Sequence, residues 1–186
     1  MADINITLKH LFDVEFSSKQ TKFLHKNPTE NYYTLGGISQ KANPLTLNWS
    51  FVYKIVALCE GNIFRASKML YNDDIIMNQV KAIYYNNYWL KMKLDKVKSQ
   101  KIADEIMLMG VVGGNKNAIK IAQRTVGVED DGIIGDITLK ALNEYDEDLF
   151  DIEYDKNEIE HFEALVDNRE EFAVYLNGWR NRAAAV

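Results

Sequence analysis

The two prolines of this 186-residue chain, Pro28 and Pro44, both fall between residues 19 and 44. Proline lacks a backbone donor and clashes with the preceding helical turn, so it marks where helix stops. Outside that stretch, apolar residues recur at helical spacing. Ile4, Leu8, Leu11 and Phe12 share one face, which predicts an amphipathic helix over residues 4–18. A helix is expected from Trp49 to Leu58, ended by Gly61. Asn62 caps a short one through Leu70, and Asp73 or Asp74 caps the next, through Trp89. Ser99 caps another that runs to Gly113-Gly114. Residues 115–126 and 136–145 read as two shorter helices around the turn Asp130-Asp131-Gly132. The tail from Asn157 to Arg182 reads as one long helix or two broken ones. Between the prolines, Gly36-Gly37 follows Tyr32, Tyr33 and Thr34, the chemistry of a small hairpin near residues 30–40. The expected fold is mainly α, a single domain with that hairpin, with Trp49 and Trp179 in its core.

Composition fits such a domain, with 47% apolar and 26% charged residues. No window approaches the ~18 uninterrupted apolar residues of a membrane span. No basic stretch precedes an apolar one at the N-terminus, so no secretory signal is expected and synthesis in the cytoplasm is. The single Cys59 sits in an apolar helix and reads as a buried thiol, which fits a reducing compartment.

Charge is segregated. Residues 1–128 hold 17 Lys and Arg against 10 Asp and Glu, whereas residues 129–171 hold 3 against 17. A basic front segment suits a polyanionic partner, and an acidic back segment suits solvent. The five arginines in the chain argue against sequence-specific nucleic-acid binding, for which Arg is the usual base reader.

Several chemistries have no support. His10, His25 and His161 lie far apart and Cys59 has no second cysteine, so no zinc spacing exists and no metal or other cofactor is expected. There is no Gly-x-Ser-x-Gly elbow. Gly113-Gly114-Asn115 lacks the length and the lysine of a phosphate loop, and Asp130, Asp131 and Asp136 lack EF-hand spacing.

Glu15 breaks the apolar pattern. It falls on the stripe of Ile4, Leu8 and Leu11, where a carboxyl is partly desolvated and its pKa raised. A carboxylic acid kept protonated near neutral pH is what a glycosidase uses to protonate a leaving oxygen. The other reading is a carboxylate at the stripe's end that reaches water or pairs with Lys19.

A helix-borne Glu15, a polar loop, and the turn Tyr32-Tyr33-Thr34-Leu35-Gly36-Gly37-Ile38 together resemble glycoside hydrolase family 108, the peptidoglycan muramidases. Ala82-Ile83-Tyr84 and Tyr88-Trp89 are similar to that family's helix end. Ala118-Ile119, Ala122-Gln123-Arg124, Val126-Gly127-Val128, Asp131-Gly132-Ile133-Ile134-Gly135, Thr138 and Ala141-Leu142 are similar to its peptidoglycan-binding-like C-terminal segment, and Gly178-Trp179-Arg180 to its last stretch. The chain departs from the family at Glu15-Phe16-Ser17-Ser18, where Glu-Gly-Gly is usual. It departs again at Leu108 and Val112, which stand for an Asp and an Asn.

The resemblance implies a lysozyme-like catalytic part over residues 1–110 and a peptidoglycan-binding-like part over 111–186. It implies cleavage of the β-1,4 bond between N-acetylmuramic acid and N-acetylglucosamine, without a cofactor. In it Glu15 is the general acid. Glu30, the only acidic side chain between Glu15 and the hairpin, is the base or electrostatic stabiliser, and Thr34 orients water. Tyr32, Tyr33, Gly37, Tyr88 and Trp89 line the sugar platform, although Trp89 also reads as a core aromatic at a helix end. A monomeric phage or prophage endolysin that reaches the wall through a holin or another export route is the expected setting. The alternative on the same scaffold is a non-catalytic wall-binding or secretion-accessory protein.

Overall fold

The computed structural model describes residues 1–16, 22–26 and 31–183, apart from the side chains of Glu15, Arg182 and Ala183. The chain is mainly α with a small antiparallel sheet. It divides into two compact units, one of residues 1–11 and 86–186, the other of residues 12–85. Helix α1 (Ile4–Phe16) contributes its first turns to the former and its last to the latter.

In the unit of residues 12–85, strands β1 (Leu24–His25), β2 (Thr34–Leu35) and β3 (Ile38–Ser39) form the sheet in that order. His25 faces Thr34, Thr34 faces Ser39, and Leu35 faces Leu24 and Ile38. The β2–β3 connection is Gly36-Gly37, with φ of +53° and +76°. Positive φ at both central residues is what a tight hairpin turn of the favoured hand requires, and glycine supplies it without steric penalty. A Cβ on Gly36 would lie 2.7 Å from the Phe23 ring.

Three helices follow, α2 (Trp49–Leu58), α3 (Ile63–Tyr71) and α4 (Asp74–Tyr84). Asn48, Asn62 and Asp73 cap them by accepting from the backbone N–H three residues on. α3 packs on β1, where the buried Ser67 Oγ accepts from Leu24 N at 2.9 Å. Phe12, Phe16, Phe23 and Tyr71 pack ring on ring at 5.3–5.9 Å beneath the sheet. Trp49 is buried as expected and donates from Nε1 to the Asn43 carbonyl. α-helix stops at Tyr84, short of the expected Trp89, because the backbone passes into a single π-helical turn over Tyr85–Trp89.

In the unit of residues 1–11 and 86–186, α5 (Gln100–Gly113) is buried from Ile102 to Gly110 without interruption, the mark of a central helix. Its Asp104 is buried and satisfied. It accepts from Thr7 Oγ1 and Gln100 Nε2, and His10 Nδ1 lies 2.6 Å away. Helices α6 (Asn115–Thr125) and α8 (Glu147–Asn168) pack against α5. Between them lies α7 (Asp136–Glu144). The turn before α7 is built on the buried Gln123, whose Nε2 donates to Asp131 Oδ1, the Ile133 carbonyl and Thr138 Oγ1 while its Oε1 accepts from Gly132 N.

α8 begins ten residues before the expected start at Asn157. Its buried stripe is Phe150, Tyr154, Glu158 and Phe162, so a carboxylate interrupts the apolar signal. The tail does break into two helices, since α9 (Ala173–Ala183) follows and packs on α8. Trp179 stacks on Phe162 at 4.4 Å but is half-buried, which corrects its expected place in the core. It caps the apolar stripe from outside.

Candidate active site

Of the expected catalytic residues, Glu15 is set by α1 and Thr34 by the hairpin. Residue 15 lies four positions after the buried Leu11 and seven after the buried Leu8, so its backbone is on the apolar face of α1. The Glu15 side chain and all of Glu30 lie outside the described residues. Thr34 is half-buried on the central strand β2, and its neighbour Leu35 is fully buried. Strand alternation turns Thr34 to the face opposite Leu35, away from the apolar interior.

The hairpin holds the expected sugar-contacting residues of this unit together. Tyr32 is exposed. Tyr33 is half-buried, and its backbone N–H donates to Gln40 Oε1 at 3.3 Å. Its ring meets Tyr53 edge to face at 5.2 Å, and Lys26 Nζ stands 5.8 Å from its centroid. Tyr53 Oη donates to the same Gln40 Oε1 at 3.0 Å. Burial, and then the neighbouring Tyr53, push the Tyr33 hydroxyl above its ordinary value, so it is a neutral hydrogen-bond donor at any physiological pH. Gly37 is exposed at the turn, where a side chain would meet Tyr84 Oη at 2.7 Å.

Tyr53 and Gln40 join the hairpin aromatics and were not legible from their spacing. Tyr53 is twenty residues from Tyr33 along the chain, and only the packing of α2 brings the rings into contact.

Tyr88 and Trp89 sit in the π-helical turn of the other unit. Such turns widen a helix by one residue and often mark functional positions. Tyr88 is half-buried, and burial raises its hydroxyl above the ordinary value. Trp89 is 2% exposed, which fits a core aromatic and leaves its ring no open face for a sugar. In the same unit, a groove of about 410 Å³ is lined by Gln123, Glu129, Asp131, Ile133, Asp136 and Ile137.

Residues 30–114 match the model of the family Glycosyl hydrolase 108. Residues 117–184 match that of the Predicted Peptidoglycan domain. Thr34, the hairpin aromatics, Tyr88 and Trp89 fall inside the first match, and Glu15 lies before its start. A solved structure of Brucella abortus SagA is similar to this chain in fold, with a TM-score of 0.62, 20% identity, and coverage of 98% of this chain and 91% of that one. No curated protein matches the sequence.

Proposed function

We propose that this peptidoglycan hydrolase, a glycoside hydrolase of lysozyme type with a peptidoglycan domain after its glycosyl hydrolase 108 domain, is an N-acetylmuramidase. Its substrate is the β-1,4 bond from N-acetylmuramic acid to N-acetylglucosamine. The observation that carries the reading is the coincidence of the hydrolase match with the Thr34 hairpin, where the Thr34 hydroxyl stands next to Tyr33, whose ring packs on Tyr53 of α2.

In the reaction Glu15 gives its proton to the glycosidic oxygen as the C1–O bond breaks, and the leaving sugar departs with a neutral hydroxyl. Positive charge develops at C1 and the ring oxygen. Glu30 either takes a proton from the attacking water or stabilises that charge. The two carboxyls are ~6.5–9.5 Å apart if configuration is inverted and ~5–5.5 Å if it is retained. Thr34 holds the water through its hydroxyl. Tyr32 and Tyr33 offer ring faces and hydroxyl donors to the pyranoses, with Tyr53 packed against Tyr33 and bonded to Gln40. The glycines usual after Glu15 are absent, and Phe16 in the first of these positions is buried against Phe12 and Phe23, so the sugar meets a different backbone at that subsite. The basic excess of residues 1–128 draws the chain toward an anionic wall, weakly at physiological salt. Release to the wall through a holin or another export route, as in a phage endolysin, completes the proposal.

The test is the chemistry of the new chain end. Sacculi are digested, reduced with borohydride and analysed by mass spectrometry. A muramidase leaves reduced muramic acid at the cut. Reduced glucosamine ends, or anhydromuramic ends that resist reduction, contradict the assignment.

A further inference from the structure

Three carboxylates from two helices converge inside the unit of residues 1–11 and 86–186. Glu105 comes from α5, and Asp151 and Asp155 come from successive turns of one face of α8. One oxygen of each lies within 4.8 Å of the others. Glu105 is 2% exposed, and its Oε1 is buried without a hydrogen-bond partner, as is Oδ1 of the half-buried Asp155. The Glu105 carboxyl also lies within hydrogen-bonding reach of Asp151, so without an ion the pair must share a proton, and Oε1 of Glu105 and Oδ1 of Asp155 still lack a donor, which is strongly unfavourable for buried acceptors.

The surrounding charges deepen the deficit. Glu158 is buried and acts on Glu105 with the same sign, as do Asp151 and Asp155. Among the described residues, Lys101 is paired with this cluster, its Nζ donating to Asp151 Oδ2 at 3.0 Å and to Asp148 Oδ1 at 3.1 Å. Its charge also acts on Asp155, but it makes no hydrogen bond to either orphaned oxygen. Three such anions coexist only if something positive stands among them.

The donor set selects that partner. It is all oxygen, which suits a hard divalent cation rather than zinc. Oxygens within 4.8 Å of one another can share Ca²⁺ at ~2.3–2.6 Å or Mg²⁺ at ~2.0–2.1 Å, and a set of carboxylates from two helices without octahedral order suits the more permissive geometry of Ca²⁺. We propose that Glu105, Asp151 and Asp155 form a Ca²⁺ site that clamps α5 to α8. Water fills the remaining positions from the side of the half-exposed aspartates. Glu105 lies within the segment matched to the glycosyl hydrolase, and both aspartates lie within the segment matched to the peptidoglycan domain. The ion thus joins the two matched segments. With three carboxylates and an open side, affinity is expected near 10⁻⁴–10⁻³ M, about the range of extracellular Ca²⁺ modules.

The test uses the full chain after chelator treatment and needs no activity. Thermal melting is followed as Ca²⁺ or Mg²⁺ is added, and Tb³⁺ luminescence sensitised by the adjacent Tyr154 reports direct binding. Ca²⁺ is expected to raise Tm by about 2–4 °C in the wild type. The rise and the Tb³⁺ signal are lost in Glu105→Gln and in Asp155→Asn. The second variant changes a half-exposed residue and keeps the test sound if the first folds poorly. No response of the wild type to any of the three ions overturns the site and leaves a proton in the ion's place. Equal responses in wild type and both variants also overturn it, by placing the ion elsewhere.

Discussion

The hydroxyl of Tyr84 donates a hydrogen bond to the backbone carbonyl of Gly36 at 2.9 Å, and both residues are buried. A side chain at the end of α4 thereby fixes the turn that follows Thr34. Tyr84→Phe keeps the ring and leaves that carbonyl without its donor. The variant is expected to lose about 1–3 kcal/mol, measured by urea unfolding. Peptidoglycan cleavage should fall as well, because Thr34 rides on the strand that this bond holds.

The two glycine environments of this unit predict different costs. Gly61 has φ +77° and open space around its Cβ position. Gly61→Ala carries conformational strain alone, about 1–2 kcal/mol. Gly36→Ala carries similar strain, and its methyl group also meets the Phe23 ring at 2.7 Å and Val80 at 3.0 Å. Overpacking adds about 1–3 kcal/mol. Parallel denaturant melts of the two variants check the difference.

Features decided by near neighbours were legible in the sequence. Asn62, Asp73 and Ser99 cap the helices they were expected to cap, because a cap is a bond to a backbone N–H two or three residues away. The Gly36-Gly37 hairpin was legible for the same reason. Features decided across the fold were hidden. The start of α8 was obscured because Glu158 occupies a position in its buried stripe, and Trp89 gave no sign whether it faced sugar or core. Glu105 carries no local signal in the sequence, because the partners that make it unusual lie some fifty residues on. For the candidate site, Thr34 and Tyr33 were visible through the turn motif, and Tyr53 was not.

Gln123 organises the turn before α7 by itself. Its amide makes four hydrogen bonds, to Asp131, Gly132, Ile133 and Thr138. Gln123→Leu keeps the volume, removes all four bonds and leaves the buried Thr138 hydroxyl without this donor. A loss of about 2–4 kcal/mol is expected in urea unfolding. Binding of the variant to intact sacculi then shows whether the adjoining groove depends on this turn.

His161 predicts a dependence on pH. Burial, and then the charge of Arg124, hold its pKa below the ordinary value of 6.5. The unfolded chain therefore takes up the proton at a higher pH than the folded one. Its stabilising contribution is present above 6.5 and is lost as pH falls through the folded value. Between pH 8 and 5 the melting temperature of the wild type should fall relative to that of His161→Gln, by about 1–3 °C at the acid end.

The central claim is that Glu15 is the acid of a muramidase. Its most direct test is release of reducing ends from purified peptidoglycan by the wild type and by Glu15→Gln at equal folded concentration. The account predicts activity in the wild type and a loss of about 10²–10⁴-fold or more in the variant, with binding to sacculi retained. Equal cleavage by the two proteins would contradict it and move the acid to another residue.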